Sequence, residues 1–151
     1  MTEHEALLEK MTEILRERYG AQMDDFLLPP PIFKLMQGEL LKLDLEASVL
    51  SARFPILDTY LNPYHAMQGG MLATAVDNTI GPLSVLVAPP NVTRTLDMKY
   101  SRSATPEMGA IIIEAKLFKR DERRLYFEAD VRSPDGKKLA KAKAVHWILE
   151  K

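Results

Sequence analysis

Apolar and polar residues alternate with a period of two over much of this chain, which is typical of strands with one buried face. The alternation first runs from Glu39 to Phe54, and a turn near residues 46–48 is predicted to divide it into a hairpin. In the first strand of that hairpin, Leu41 and Leu43 occupy the predicted buried face. Four more strands are predicted further along, at residues 92–101, 111–117, 125–131 and 139–149.

Two segments have helical periodicity instead. Residues 3–19 follow a capping box that begins at Thr2, and their apolar positions recur every three or four residues. A second helix is predicted to begin at about Gly70, in a stretch so apolar that it should be buried on most sides. Pro82 removes one backbone N–H from this helix, so the pattern leaves open whether the helix continues beyond it.

Two strands, one long apolar helix and four strands predict an α+β fold, with an antiparallel sheet of five to six strands around one central helix. The N-terminal helix is additional to this core. The run Pro29-Pro30-Pro31 predicts an extended connector, so we divide the chain into an N-terminal helix with its connector, residues 1–31, and a main domain, residues 32–151.

Composition excludes several classes of function. The chain has 151 residues, 46% of them hydrophobic, a net charge of −1 and no cysteine. A thiol nucleophile, disulfides and thiolate metal sites are therefore excluded, and three scattered histidines lack the spacing of metal ligands. The near-neutral charge argues against nucleic acid, the polar interruptions of the apolar helix argue against a membrane span, and a cytoplasmic location is the default expectation.

One charged residue interrupts the apolar central helix. Asp77 lies seven residues, or two turns, beyond Gly70 and therefore on the same helical face. The apolar residues on either side of Asp77 predict an enclosed environment. Burying an unpaired charge there costs free energy, which indicates that Asp77 has a function. Gly69 and Gly70 at the helix start expose backbone N–H groups that favour a developing negative oxygen. This combination indicates acyl transfer, with Asp77 attacking directly or activating a water.

The motif formed by Asn62, Gln68-Gly69-Gly70 and Asp77-Asn78 resembles the central motif of hotdog-fold acyl-CoA thioesterases of the phenylacetate-degradation type. That family usually has His where this chain has Gln68, and a separate histidine, His65, stands three residues earlier. Gln68 can still donate a hydrogen bond to a thioester carbonyl. The resemblance implies a hotdog fold and a thioester hydrolase.

The resemblance also implies roles for individual residues. Asp77 is the catalytic acid, the Gly70 N–H is the oxyanion donor, Asn62 shapes the oxyanion loop, and Thr95 positions water beside the acid. Gly69, Gln68 and His65 complete the helix entrance, and the acyl group is expected against Met67, Met71 and Leu72. By contrast, His146 in the last strand is interpreted as a packed histidine.

Coenzyme A carries three phosphates, so an acyl-CoA site needs cations near its mouth. Arg94, Arg120 and Arg124 are candidates at strand ends and at the hairpin of residues 120–124. Coenzyme A is here part of the substrate, and no other cofactor or metal is expected. Hotdog domains pair edge to edge with each active site built from two subunits, which implies a homodimer or a dimer of dimers, a homotetramer.

Two other functions stay open on these residues. The missing motif histidine is compatible with a domain that binds or senses acyl-CoA without hydrolysing it. A hotdog dehydratase or hydratase would pair an acid with a histidine, for which His65 is the candidate.

Overall fold

Six antiparallel strands form one sheet in the order β1-β2-β4-β5-β6-β3, and a long helix packs against one face of it. The computed structural model describes residues 1–149. The helices are α1 Glu3–Tyr19, α2 Pro31–Leu35 and α3 Gly69–Val87; the strands are β1 Glu39–Asp44, β2 Val49–Pro55, β3 Asn91–Tyr100, β4 Ala110–Arg120, β5 Arg124–Arg132 and β6 Lys138–Ile148. The predicted α+β class with one central helix and an N-terminal helix is confirmed.

The central helix α3 is buried because its apolar residues recur on the sheet-facing side. Leu72, Val76, Ile80 and Leu83 are each at most 3% exposed and pack against the inner faces of β2, β3, β4 and β5. By length and mean hydropathy (1.2) α3 could cross a membrane, but 56% of it is buried inside the fold, as in a core helix. The helix continues through Pro82 to Val87.

The first hairpin forms as predicted, and Leu43 packs against the core as predicted, but Leu41 does not. Its turn lies between Asp44 and Val49. A register shift between Leu40 and Lys42 moves Leu40 into the core, at 3% exposure, and leaves Leu41 exposed. A bulge of this kind inverts the alternation across it, so a period of two counted back from Leu43 selects Leu41 instead of Leu40.

The N-terminal helix α1 is fixed at both ends to the main domain. Near its start, His4 Nδ1 accepts a hydrogen bond of 3.0 Å from the Leu40 N–H of β1. At its end, the Arg18 guanidinium donates to the Leu86 carbonyl at 2.8 Å, and the Tyr19 hydroxyl lies 3.0 Å from the Ala88 carbonyl. The last carbonyls of a helix have no intrahelical donor, so α1 provides the C-terminal cap of α3.

We expect Tyr19→Phe to lower the free energy of unfolding by about 1 kcal/mol, because the partly buried carbonyls of Val85 and Ala88 lose the hydroxyl that donates to them. Arg18→Met should also destabilise, because it removes a charge-assisted cap while keeping an apolar stem. Urea unfolding followed by circular dichroism measures both effects. Arg16→Met in the same turn is the control, with a change within about 0.5 kcal/mol; equal midpoints for all four proteins would contradict the capping role.

Candidate active site

Asp77 lies on the face of α3 that looks toward strand β3. In the single chain its side chain is exposed, so the enclosed environment expected from the apolar flanks is absent. The Thr93 hydroxyl of β3 lies 3.2 Å from Asp77 Oδ1. A second contact of 3.2 Å joins the same hydroxyl to His146 Nε2. Asp77, Thr93 and His146 therefore form one connected group on α3, β3 and β6.

The imidazole of His146 is held in a fixed orientation. It is 2% exposed and packs on the Phe127 ring, with 4.8 Å between ring centroids. Its Nδ1 lies 2.7 Å from Asn91 Oδ1. The Asn91 amide nitrogen donates to the carbonyls of Pro89 and Ser84, which fixes the amide so that its oxygen faces the histidine. Nδ1 therefore carries a proton, and in neutral His146 the bare nitrogen is Nε2.

This tautomer gives the Thr93 hydroxyl a choice between two acceptors. A hydroxyl has one proton, so Thr93 can donate either to Asp77 or to neutral His146 Nε2. When His146 is protonated, Nε2–H donates to the Thr93 oxygen, and the hydroxyl proton turns to Asp77. The charge state of His146 thus decides which hydrogen bond reaches Asp77.

Burial lowers the pKa of His146 below its usual value of 6.5, while the charge of Asp77 acts in the opposite direction. The unfolded chain therefore binds a proton at a pH at which the folded chain does not. Acidification from about pH 6.5 down through the lowered pKa consequently removes stability.

Thr95, the hydroxyl chosen from the sequence, does not meet Asp77 within the chain. Thr93 pairs with His146 and Thr95 with Val145, so the register shifts by one residue around Arg94. Adjacent residues of β6 face opposite sides of the sheet, so Thr93 faces α3 and Thr95 faces the outer side. The role of Thr95 stays a prediction, and Thr93 is the hydroxyl that the structure brings to the acid.

The start of α3 presents the second set of predicted residues. The Gly70 N–H has no acceptor among residues 1–149, and a Cβ at Gly70 would meet no atom within 4 Å. The Gly69 carbonyl accepts a 2.6 Å hydrogen bond from the Tyr100 hydroxyl, whose pKa is raised by burial. Gln68 is the N-cap residue, and its exposed side chain makes no capping hydrogen bond. A donor and an open approach are therefore present at the helix entrance.

The loop before α3 is organised by Asn62. Its Oδ1 accepts hydrogen bonds from the N–H groups of Tyr64 and Ala66, at 2.9 and 3.2 Å. His65 is exposed, with a left-handed φ of 62°, and its charge contributes to lowering the pKa of Glu107 after the backbone and Thr105 hydrogen bonds. Asn62 has a loop-shaping geometry, and the local charge partner of His65 is Glu107.

The two predicted halves of the site lie apart in one chain. Seven residues of helix separate Gly70 from Asp77 by about 10.5 Å along the axis, more than one thioester group spans. Gly69 and Asn62 line a cavity of about 320 Å³ together with Tyr100. Asp77 lines a different cavity, of about 380 Å³. One chain therefore carries an oxyanion half and an acid half that do not meet.

The expected apolar contacts for the acyl group are mostly part of the core. Met67 and Leu72 are each 3% exposed, and Met71 is half-buried in the first turn of α3. Met71 therefore has the most accessible surface of the three near the oxyanion half.

Two of the three candidate cations gather around Trp147 on β6. The guanidinium carbons of Arg124 and Arg94 lie 5.0 and 5.6 Å from the indole centroid, and that of Arg123 lies at 5.9 Å. Arg120 pairs with Leu125 at the end of β4 and is absent from the described contacts of Trp147. Because Trp147 follows His146, this Trp147 cluster lies on the outer sheet face, behind the acid half.

Searches of solved structures find similar folds over most of the chain. A phenylacetic acid degradation-related protein from Ralstonia eutropha JMP134, a candidate thioesterase, is 25% identical, with a TM-score of 0.75 over 91% of this chain and 98% of its own. The PaaI protein of the Escherichia coli phenylacetic acid degradation operon is 11% identical, with a TM-score of 0.75 over 93% and 96%.

A hypothetical thioesterase protein from Streptococcus pneumoniae TIGR4, solved with coenzyme A, is 17% identical, with a TM-score of 0.73 over 85% and 98%. The chain has the hotdog fold. Its structural relatives include proteins of the phenylacetic acid degradation type, as the Gly-Gly and Asp spacing predicted. No protein-family model and no curated sequence matches the chain.

Three residues of the acid half were not selected from the sequence: Asn91, Thr93 and, except as a packed residue, His146. A signal existed for one of them. Ala140, Ala142 and Ala144 form the small, buried face of β6, and His146 continues that face by parity. A polar side chain at a buried parity is a candidate for a function or for a hydrogen-bond network.

We expect Asp77→Asn to lower the pKa of His146 further, because it removes the negative charge that favours the imidazolium. Histidine ¹⁵N and ¹H chemical shifts measured against pH report this value, with the signal assigned by its loss in His146→Gln. The same spectra should give the Nδ1–H tautomer at neutral pH. Asp97→Asn, on the outer face of β3, is the control; an equal pKa in wild type and Asp77→Asn would contradict the coupling.

Proposed function

We propose that this protein is an acyl-CoA thioesterase that hydrolyses a thioester to a free acid and coenzyme A. The observation that carries the proposal is Asp77, a carboxylate on the central helix of a hotdog fold, joined through Thr93 to the buried His146. The relatives named as thioesterases and the one solved with coenzyme A support the same assignment.

In the proposed reaction, the Gly70 N–H at the positive end of α3 stabilises the oxyanion that forms on the thioester carbonyl. Gln68, which takes the place of the family's usual histidine, donates a second hydrogen bond to that oxygen. The C–S bond then breaks, and coenzyme A leaves as its thiolate. Asn62 holds the loop that leads into this donor pair.

Asp77 acts as general base or as nucleophile. As a base it takes a proton from water, and the hydroxide adds to the carbonyl. As a nucleophile its carboxylate displaces the coenzyme A thiolate to form a mixed anhydride, and water then adds to the Asp77 carboxyl carbon, so that the bridging Asp77 oxygen leaves with the acyl group. Single turnover in ¹⁸O-labelled water distinguishes this route from general-base catalysis, because it delivers an unlabelled Asp77 oxygen to the first product.

The acid half and the oxyanion half meet when two copies of the chain pair through β3. This strand is at the edge of the sheet and has no strand partner on its free side among residues 1–149. Antiparallel pairing of two copies about Asp97 brings Thr93 opposite Tyr100 of the other copy, because the bulge leaves Arg94 without an opposing residue. Because Thr93 contacts Asp77 and Tyr100 contacts Gly69, each site then receives its acid from one subunit and its oxyanion donor from the other.

The phosphates of coenzyme A are assigned to the Trp147 cluster. Arg94 directly follows Thr93 in the chain, and with Arg124 it presents a guanidinium beside the same indole. Guanidinium groups bind phosphate oxygens through paired N–H donors. The pairing of subunits, a further pairing of dimers, the cytoplasmic location and a role for Arg120 are part of this proposal.

Asp77→Asn should lower the thioester hydrolysis rate by about 10²-fold or more, because general bases typically contribute 10²- to 10⁴-fold. Thiol release from acetyl-, decanoyl- and phenylacetyl-CoA measures it, with circular dichroism as the test of folding. Asp58→Asn, an exposed acid before α3, is the control with unchanged rate. Full activity of folded Asp77→Asn would refute the mechanism. If wild type binds acyl-CoA without hydrolysing it, a binding domain would be favoured. If wild type hydrates an enoyl-CoA, a hydratase would be favoured.

Mixed dimers test whether each active site contains residues of both subunits. Gly70→Pro removes the oxyanion N–H at a first-turn position where that N–H has no intrahelical acceptor. Asp77→Asn and Gly70→Pro should each be inactive alone, and co-expression should restore activity because each heterodimer then holds one intact site. If both variants fold and mix without any recovery, the acid and the oxyanion donor belong to the same subunit.

A further inference from the structure

The cavity that contains Asp77 extends away from the acid along α3. Its volume is about 380 Å³, at the lower end of the range for small-molecule sites. On one side, Asp77, Gly81 and Val85 lie four residues apart and therefore form one row on the helix surface. On the other side stands the segment that connects α1 to α2, with Phe26, Leu27 and Leu28.

We propose that this cavity binds the acyl chain of the substrate and that the substrate is a medium-length linear acyl thioester. This inference rests on the proposed thioesterase function, because Asp77 would stand at the carbonyl end of the chain. The cavity then runs from the reacting carbon toward the C-terminal end of α3.

The chemistry of the lining favours an uncharged aliphatic chain. Among the described lining residues Asp77 alone is charged, and the other polar groups, including Thr93, Asn91 and His146, stand near it or on the sheet side. The walls away from Asp77 are formed by apolar side chains, by Gly81 and by Ser84, whose hydroxyl already donates to the Gly81 carbonyl. A second carboxylate on the acyl group would have no cation to meet there, so a dicarboxylic acyl group does not fit.

The length of the helical row sets the length of the chain. Eight residues from Asp77 to Val85 span about 12 Å. An extended acyl chain advances about 1.2 Å per bond, because the three backbone bonds of an extended residue together span roughly 3.6 Å. The cavity therefore matches an acyl chain of about eight to ten carbons, and a short aromatic acyl group would leave its far end empty.

The connector wall distinguishes this cavity from a bare helix face. Leu27 lines the cavity and is 70% exposed, so most of its apolar surface is uncovered in the single chain. An acyl chain beneath the connector would cover part of that surface. The N-terminal segment thus gains a function in substrate selection besides capping α3.

Gly81 provides the sharpest test. A Cβ built at Gly81 meets no atom within 4 Å, so a larger residue fits sterically, and replacing a helical glycine also improves helix propensity. Gly81→Leu should fill the cavity and leave the fold intact. Leu27→Ser removes apolar surface from the other wall, and Leu35→Ser, equally exposed at 69% but outside the cavity, is its matched control.

The experiment measures kcat/KM for thioesters with 2 to 16 carbons. For wild type we expect a rise of about fourfold per methylene up to about ten carbons, then a plateau. Gly81→Leu should lower the ratio of decanoyl to acetyl kcat/KM at least tenfold, and Leu27→Ser by a few-fold, with Leu35→Ser equal to wild type. An unchanged chain-length profile in folded Gly81→Leu would overturn the acyl site and leave the thioesterase function standing.

Calorimetric binding of a decanoyl-CoA thioether, which cannot be hydrolysed, separates the two proposals. If wild type hydrolyses nothing yet binds the thioether, and Gly81→Leu binds it at least tenfold more weakly, the cavity assignment holds and the enzyme function fails. Loss of dimers in Leu27→Ser, with its chain-length profile unchanged, would instead assign Leu27 to a contact between copies and overturn its place in the acyl site.

Discussion

The fold depends on burying the sheet-facing side of α3, because a 19-residue helix this apolar is stable in water only when other elements cover most of its apolar surface. Its surface packs against the inner face of the sheet. Its last carbonyls accept hydrogen bonds from Arg18 and Tyr19 of α1. Protein donors therefore occupy the C-terminal end, and the open backbone groups of α3 are at the other end, where Gly70 leaves an N–H uncovered. This asymmetry favours negative charge at the N-terminal end of the helix.

The acid half has a constraint of its own, because one hydroxyl proton serves two acceptors. Asn91 fixes His146 so that its bare nitrogen faces Thr93, and Thr93 faces Asp77. While His146 is neutral, the Thr93 proton can leave Asp77 without a donor, and in the proposed mechanism this keeps the carboxylate available as a base or nucleophile. Burial, by lowering the pKa of His146, favours this state near neutral pH. The buried histidine is therefore connected to Asp77 through the Thr93 hydroxyl.

Much of this arrangement could be predicted from residue patterns. Helical spacing identified α1 and α3, and a period of two identified the strands, because burial of one face imposes both periods. The motif of Asn62, the two glycines and Asp77 led to the hotdog fold. Bulges limit what the alternation can predict, because one extra residue inverts it: Leu40 rather than Leu41 is buried, and Thr93, which the sequence did not single out, is the hydroxyl that meets Asp77 within one chain. Exposure of Asp77 was missed because local apolar neighbours do not reveal which side of a helix the sheet leaves uncovered.

The bulge around Arg94 connects the two faces of the sheet. Without it, Thr93 and Thr95 would lie on one side, as alternate residues of a regular strand do. With it, Thr93 turns toward Asp77 while Arg94 reaches the Trp147 indole on the outer face. Bulges are enriched at strand edges and beside functional sites because they re-aim a side chain without ending the strand. In this chain a single inserted residue gives neighbouring positions two separate surroundings: a hydroxyl beside Asp77 and a guanidinium beside the Trp147 indole on the opposite face.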